Sequence, residues 1–213
     1  LWWRVFNLAR DPGTYRYTAA VPWDNALAGT AVHNTVMVAG HDQMTRAGRF
    51  LWLDRAEAYL EPGDNFHRVS AWHAGYRPLG IRHRREVAAQ AGEGWLVRDW
   101  VEPWEQKTGP RQRARLHWLL PDWGWEAESH EEGWLLRQLS PDGSRLTLRL
   151  ATEGEVSMRQ VIRAGVRVYG EGEALPVAGW FSPTYGVKEP ALAVVLVAVR
   201  RLPLEFVSEW ELG

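Results

Sequence analysis

With no cysteine in the chain, seven histidines and twenty-six carboxylates are the side chains best able to hold a metal or move a proton, and their spacing decides what they can do. Asp11 opens a Pro–Gly turn, and His33 precedes the apolar stretch Thr35 to Val38. One carboxylate and one imidazole brought together supply two ligands of a zinc site. The same residues have a purely local reading: Asp11 capping its own turn through a side-chain hydrogen bond, and His33 as a buried, hydrogen-bonded ring. His67 and His73 are six apart around AWHAGY, which on a strand separates them by ~20 Å, too far to share an ion. His83 and His117 lie in Arg-flanked strand interiors and His130 in an acidic turn, with no H-x-H or H-E-x-x-H pair to make a self-contained metalloenzyme. The absence of cysteine removes disulfide scaffolds, thiol catalysis and Cys-ligated zinc. Neither a nucleophile elbow, a phosphate loop nor a dinucleotide fingerprint is present. No carboxylate spacing marks a glycosidase pair. None of these patterns singles out a catalytic set, and a pair of carboxylates for glycoside hydrolysis stays open.

A formal net charge of -1 argues against nucleic acid as a partner held by bulk charge. Arginines nonetheless cluster, at Arg77, Arg82, Arg84 and Arg85 and again with Lys107 at Arg111, Arg113 and Arg115, against Glu126, Glu128, Glu131 and Glu132. Such runs read as solvated sheet faces with cross-strand ion pairs of low individual value. The sharper alternative is guanidinium forks that hold the carboxylates or sulfates of a polysaccharide. Tryptophan is abundant, with 14 in 213 residues, which demands either a thick core or a surface that stacks on sugar rings. Trp95 and Trp118 share a face with aliphatic residues and belong to a core, whereas Trp23, Trp72, Trp100 and Trp104 are candidates for stacking. Trp2 and Trp3 are adjacent, so one faces in and the other out.

The elements that must position these groups are strands. Leu146, Leu148 and Leu150 alternate with Arg145, Thr147 and Arg149, and Ala114, Leu116, Trp118 and Leu120 alternate with Arg115 and His117. Ile81 to Val87, Trp95 to Val101, Val156 to Arg163 and Leu204 to Leu212 are further strands. Ala191 to Val199 does not alternate and reads as a strand covered on both faces. Turn chemistry recurs at PGTY 12–15, PGDN 62–65, AGEG 91–94, PDWG 121–124, EEG 131–133 and PDG 141–143. No window forms a convincing amphipathic helix; RAEAYL at 55–60 is one turn or a strand. The expected fold is all-β, a large antiparallel β-sandwich of two packed sheets with roughly 12–15 strands, as a single domain over residues 1–213. No apolar run approaches the ~20 residues of a membrane helix, so no membrane insertion is expected. The start at Leu1 has no signal-peptide pattern and reads as the interior of a longer chain.

DPGTYRY at 11–17, GTAVHNTVMVAGHDQ at 29–43, the Phe–Leu–Trp stretch at 50–52 and GWFSPTYGVKEPA at 179–191 together resemble the β-sandwich domain of heparinase II/III-like polysaccharide lyases. RREV at 84–87, VRDWVE at 97–102 and LHWLLPD at 116–122 stand in compatible order, so the likeness spans the chain. The resemblance implies an α/α toroid upstream of Leu1, with the substrate cleft between toroid and sandwich. It implies cleavage of an acidic, uronate-containing polysaccharide by β-elimination, with acid and base drawn from residues upstream of Leu1. It also implies a zinc held by the Asp of the DxGxY turn, here Asp11, the His of HNT, here His33, and a further His upstream. With that ligand missing, zinc is expected to be weak or absent in this piece alone. Ala28 stands where the family often carries Arg, which removes one anion contact from this edge. A periplasmic or secreted location follows from the same likeness.

Tyr15, Tyr17, Trp23 and Trp72 are the residues expected to touch the polysaccharide. The alternative function is a non-catalytic carbohydrate-binding module, and a third is a structural sandwich whose exposed strands mediate assembly.

Overall fold

The period-two alternation of Leu146, Leu148 and Leu150 becomes the strand Arg145–Thr152, with all three leucines buried and Arg145 and Arg149 exposed. Its inward row continues across its neighbours, because Leu148 is registered with Leu136 on one side and Trp210 on the other. Each large apolar side chain removed from water in this way contributes about 1.5–3 kcal/mol. The computed structural model describes residues 1–62, 67–130 and 133–213. The turn expected at 62–65 and the EEG turn, with Glu131 and Glu132 of the acidic run, therefore fall wholly or partly outside the described residues.

Two sheets dominate. The larger has eight strands in the order Gly124–His130, Gly133–Leu139, Arg145–Thr152, Leu204–Leu212, Gly94–Pro103, Ile81–Ala89, Arg68–His73 and Ala58–Leu60. All of its ladders are antiparallel. The smaller has five, in the order Val166–Gly170, Glu155–Arg163, Leu192–Arg201, Arg111–Leu120 and Val36–Val38. Helical structure among the described residues is confined to single turns at Ala26–Ala28, Thr30–Val32 and Arg77–Leu79. No described helix is long and apolar enough to cross a membrane. Five and eight strands together fall within the number expected. RAEAYL resolves as the edge strand Ala58–Leu60.

By internal contacts the chain divides into two compact units, the first made of Leu1–Leu53, Ala114–Asp122 and Val156–Val197, the second of Asp54–Arg113, Trp123–Glu155 and Ala198–Gly213. In the first, Leu119, Ile162, Ala193, Val195 and Val197 form the centre of a buried cluster, with Met158 and Phe181 against it. The uniform burial of Leu192 to Ala198 explains why that segment does not alternate. One expectation needs correction: Arg115, read with its cluster as part of a solvated sheet face, is buried, and His117 on the same face of the strand is buried with it. One polar atom of each reaches backbone: Arg115 Nη1 donates to the Ala31 carbonyl and His117 Nδ1 to the His33 carbonyl at 2.9 Å. Burial of a polar group is tolerated where a partner replaces water. Trp118, Trp134 and Trp210 are buried, and Trp95 is only half-buried. Trp2 is 65 % exposed and Trp3 8 %, as adjacent strand residues require.

Candidate functional site around Asp11 and His33

The DPGTY turn is held against the hairpin formed by Trp180–Thr184 and Val187–Pro190. Ser182 is the hub: its N–H donates to the Pro12 carbonyl at 2.8 Å, and its hydroxyl accepts from the Tyr15 N–H at 2.9 Å. The Gly186 N–H donates to the Tyr15 carbonyl at 2.7 Å. Asp11 does cap its own turn, accepting from the Gly13 N–H through Oδ1 at 2.8 Å. The two sequence blocks that carry the family resemblance at either end of the chain thus meet in space.

The HNT segment is fixed from below. Asn34 donates to the Arg10 carbonyl at 2.8 Å and accepts from the Leu119 N–H at 2.7 Å. His33 places Nδ1 2.9 Å from the Gly29 carbonyl, which can only accept. Nδ1 therefore carries the proton of the neutral ring, and Nε2 presents a lone pair. That Nε2 lies 3.6 Å from Asp11 Oδ2. Nearby, Asp42 accepts from the Thr30 N–H at 2.7 Å, and Gln43 Nε2 donates to the Thr35 hydroxyl at 3.0 Å. Asp11, His33, Thr30, Gln43, Ala28 and Trp52 are among the lining of a cavity of about 480 Å³. His117 lies beneath His33, fully buried, its pKa held well below the ordinary value chiefly by desolvation and then by Arg115. No third His, Asp or Glu completes a metal cluster among the described residues.

The aromatic candidates divide. Tyr15, Trp23 and Trp180 meet edge to face at 5.2 and 5.7 Å, and the Lys188 ammonium sits 3.2 Å over Trp180 and 4.1 Å over Trp23. Burial in this cage lowers the Lys188 pKa. Trp23 is thus part of a cation–π cluster. Tyr17 is 40 % exposed and contacts Phe50 and Tyr185. Trp72 belongs to the second unit, stacked on Tyr59 with centroids 4.4 Å apart.

Sequence reasoning missed Lys188, Trp180 and Asn34, and it separated two histidines that touch. His73 and His83 are register partners on adjacent strands. The Gly75 N–H donates to His73 Nδ1 at 3.1 Å, so His73 Nε2 carries its proton and donates to His83 Nδ1 at 2.9 Å. His83 Nε2 in turn donates to Asp99 Oδ1 at 2.7 Å. Arg85 grips both oxygens of Asp99, at 2.7 and 3.0 Å.

Two antiparallel sheets carry a cavity rimmed by a turn carboxylate and a strand-entry histidine. The chain belongs to the heparinase II/III-like family: the model described as "Heparinase II/III-like, C-terminal" matches residues 1–208. Among solved structures, a heparinase III gene product with methylated lysines is similar at a TM-score of 0.70 and 18% identity, covering 100% of this chain and 29% of that one. The heparan sulfate lyase HepC of Pedobacter heparinus gives 0.64 and 16%, covering 97% of this chain and 29% of that one. A further heparinase III gives 0.65 and 11%, covering 96% and 28%. These likenesses establish the β-sandwich fold. The chain spans less than a third of the length of the structures it matches.

Proposed function

We propose that this chain is the sandwich portion of a lyase that cleaves uronate-containing polysaccharide by β-elimination, with the Asp11–His33 cavity forming part of one wall of the substrate cleft. The observation that carries the reading is the approach of Asp11 Oδ2 to His33 Nε2, 3.6 Å apart on the cavity, in a chain of this family. Elimination needs the uronate carboxylate neutralised, the adjacent ring proton removed and the leaving oxygen protonated. The acid and base are assigned to a toroid upstream of Leu1. This wall contributes shape and hydrogen-bonding groups such as Thr30, Thr35 and Gln43. An extracytoplasmic location accompanies that role.

Asp11 and His33 fit one side of a zinc site. The 3.6 Å gap exceeds a hydrogen bond and accommodates bonds of ~2.0–2.2 Å to a shared ion. The fixed His33 tautomer aims its lone pair into that gap. Bound there, zinc would supply a fixed positive charge and tie the DPGTY turn to the HNT segment.

The isolated chain should release no unsaturated uronate from heparan sulfate or polyuronate, followed by ultraviolet absorbance, whereas a polypeptide extended upstream should. Turnover by the isolated chain would contradict the placement of acid and base. In equilibrium dialysis the chain should bind zinc weakly, and Asp11→Asn and His33→Ala should each weaken it by roughly tenfold or more. Tight binding that survives His33→Ala would refute the site.

A further inference from the structure

Asn25 is a buried residue with a left-handed backbone, φ 49, a conformation asparagine tolerates better than most. It ties two segments together. Its N–H donates to the Arg16 carbonyl and its side-chain amide to the Arg49 carbonyl, both at 3.1 Å. The residues that follow, Tyr17 and Phe50, consequently meet edge to face at 4.9 Å, and Tyr185 joins Tyr17 at 5.4 Å from the tip of the 180–190 hairpin. These rings are 40 %, 70 % and 58 % exposed. Arg16 and Arg49 make no ion pair among the described residues, in contrast to Arg46, which faces Asp24 at 3.7 Å. Lys188 and Arg16 both border the Tyr15 ring, and no described carboxylate pairs with Lys188 either.

Three open rings from separate segments expose apolar faces to water, and each segment also carries a cation with no described counter-ion: Arg16 next to Tyr17 in sequence, Arg49 next to Phe50, and Lys188 on the hairpin of Tyr185. Apolar faces and unpaired cations together suit one kind of ligand. We propose that Arg16, Tyr17, Arg49, Phe50, Tyr185 and Lys188 form a binding surface for an acidic glycan, its pyranose faces on the rings and its carboxylates or sulfates on the cations. Two of the three rings end in a hydroxyl, which suits a polar sugar better than an apolar protein surface. Guanidinium forks match planar carboxylate and sulfate oxygens. The proposal deepens the lyase reading by naming where the acidic chain lies against this domain.

The test is affinity electrophoresis of the chain in gels containing heparin, with a neutral β-glucan gel for comparison. Arg49→Gln combined with Phe50→Ala changes only exposed side chains of a turn and should weaken heparin binding by about tenfold or more. Tyr185→Ala should weaken it several-fold. Arg145→Gln, an exposed arginine of the second unit, removes one charge elsewhere and should change binding less than twofold. Unchanged affinity in the double variant, an equal loss from Arg145→Gln, or equal retardation by the neutral glucan would overturn the proposal. So would self-association that the double substitution abolishes, which would assign the surface to a second copy. Binding and cleavage are read apart: tight binding here with no turnover by the extended polypeptide removes the lyase reading alone, and turnover with unaltered binding in the double variant removes this surface alone.

Discussion

Replacing Asp99 with alanine is expected to lower the stability of the folded chain by about 3–5 kcal/mol, enough to leave little of a typical domain's reserve. Asp99 is fully buried and receives three hydrogen bonds, one from His83 and two from Arg85. Burial on its own pushes the carboxyl pKa up. The Arg85 charge and the bonds from His83 and Arg85 outweigh it and hold the group at about 2, below its ordinary 3.8. Truncation leaves the His83 N–H without its acceptor inside the core and strips the Arg85 guanidinium of its counter-charge. Asp99→Asn keeps the shape and one acceptor oxygen, so it should cost less than alanine. Urea unfolding of the two variants beside the parent checks both the size and the order, and equal stability of all three would contradict the account.

The same network predicts sensitivity to acid. Burial, then the neighbouring His83 and Arg85, lowers the His73 pKa from 6.5 to about 3. The unfolded chain therefore takes up this proton from about pH 6.5 downward while the folded chain resists until about pH 3, so stability falls with pH across that window by up to about 1.4 kcal/mol per unit. His117, also held well below its ordinary value, acts in the same direction. Asp99 adds its share lower down, complete above its unfolded value of 3.8 and lost as pH falls toward 2. His73→Gln should flatten the upper part of the profile between neutrality and pH ~4, with the His117 contribution retained. A parent chain equally stable in urea at both ends of that window would sink the argument.

What could be read from residues alone was what depends on neighbours along the chain. Leu146, Leu148 and Leu150 announce a half-buried strand because a strand places every second side chain on one face. The unbroken Ala191–Val199 run announces burial on both faces for the same reason. The burial of Arg115 and His117 was not legible because it depends on the Ala31 and His33 carbonyls, about eighty residues away, which no local pattern reveals. His73 and His83 touch only through strand register across an intervening turn. Register would have followed from pairing Arg68–His73 with Ile81–Ala89 antiparallel, a signal present but unused. Lys188 was invisible because its rings come from positions 15, 23 and 180. The meeting of Asp11 and His33 rested on motif likeness, since their separation in sequence carries no geometric information.

Gly13→Ala is expected to cost about 2–5 kcal/mol and to dismantle the zinc half-site with it. Gly13 has φ +74, and a Cβ there would stand 2.3 Å from the Ser182 carbonyl oxygen. The left-handed backbone alone penalises alanine by about 1–2 kcal/mol. The overlap is with backbone, not the end of a movable side chain, so relief requires the turn to leave the hairpin, at a further 1–3 kcal/mol. Leaving breaks the bonds that join Pro12 to Ser182, Tyr15 to Ser182 and Tyr15 to Gly186. Asp11 loses the Gly13 N–H that orients its carboxylate toward His33. His33 itself is held by Gly29 and by the Asn34 anchor, neither of which involves the turn. The variant should therefore melt earlier and bind zinc as poorly as Asp11→Asn, with the His33 ring still in place. A Gly13→Ala chain that loses stability but retains zinc affinity would show that the turn's docking on the hairpin does not position Asp11.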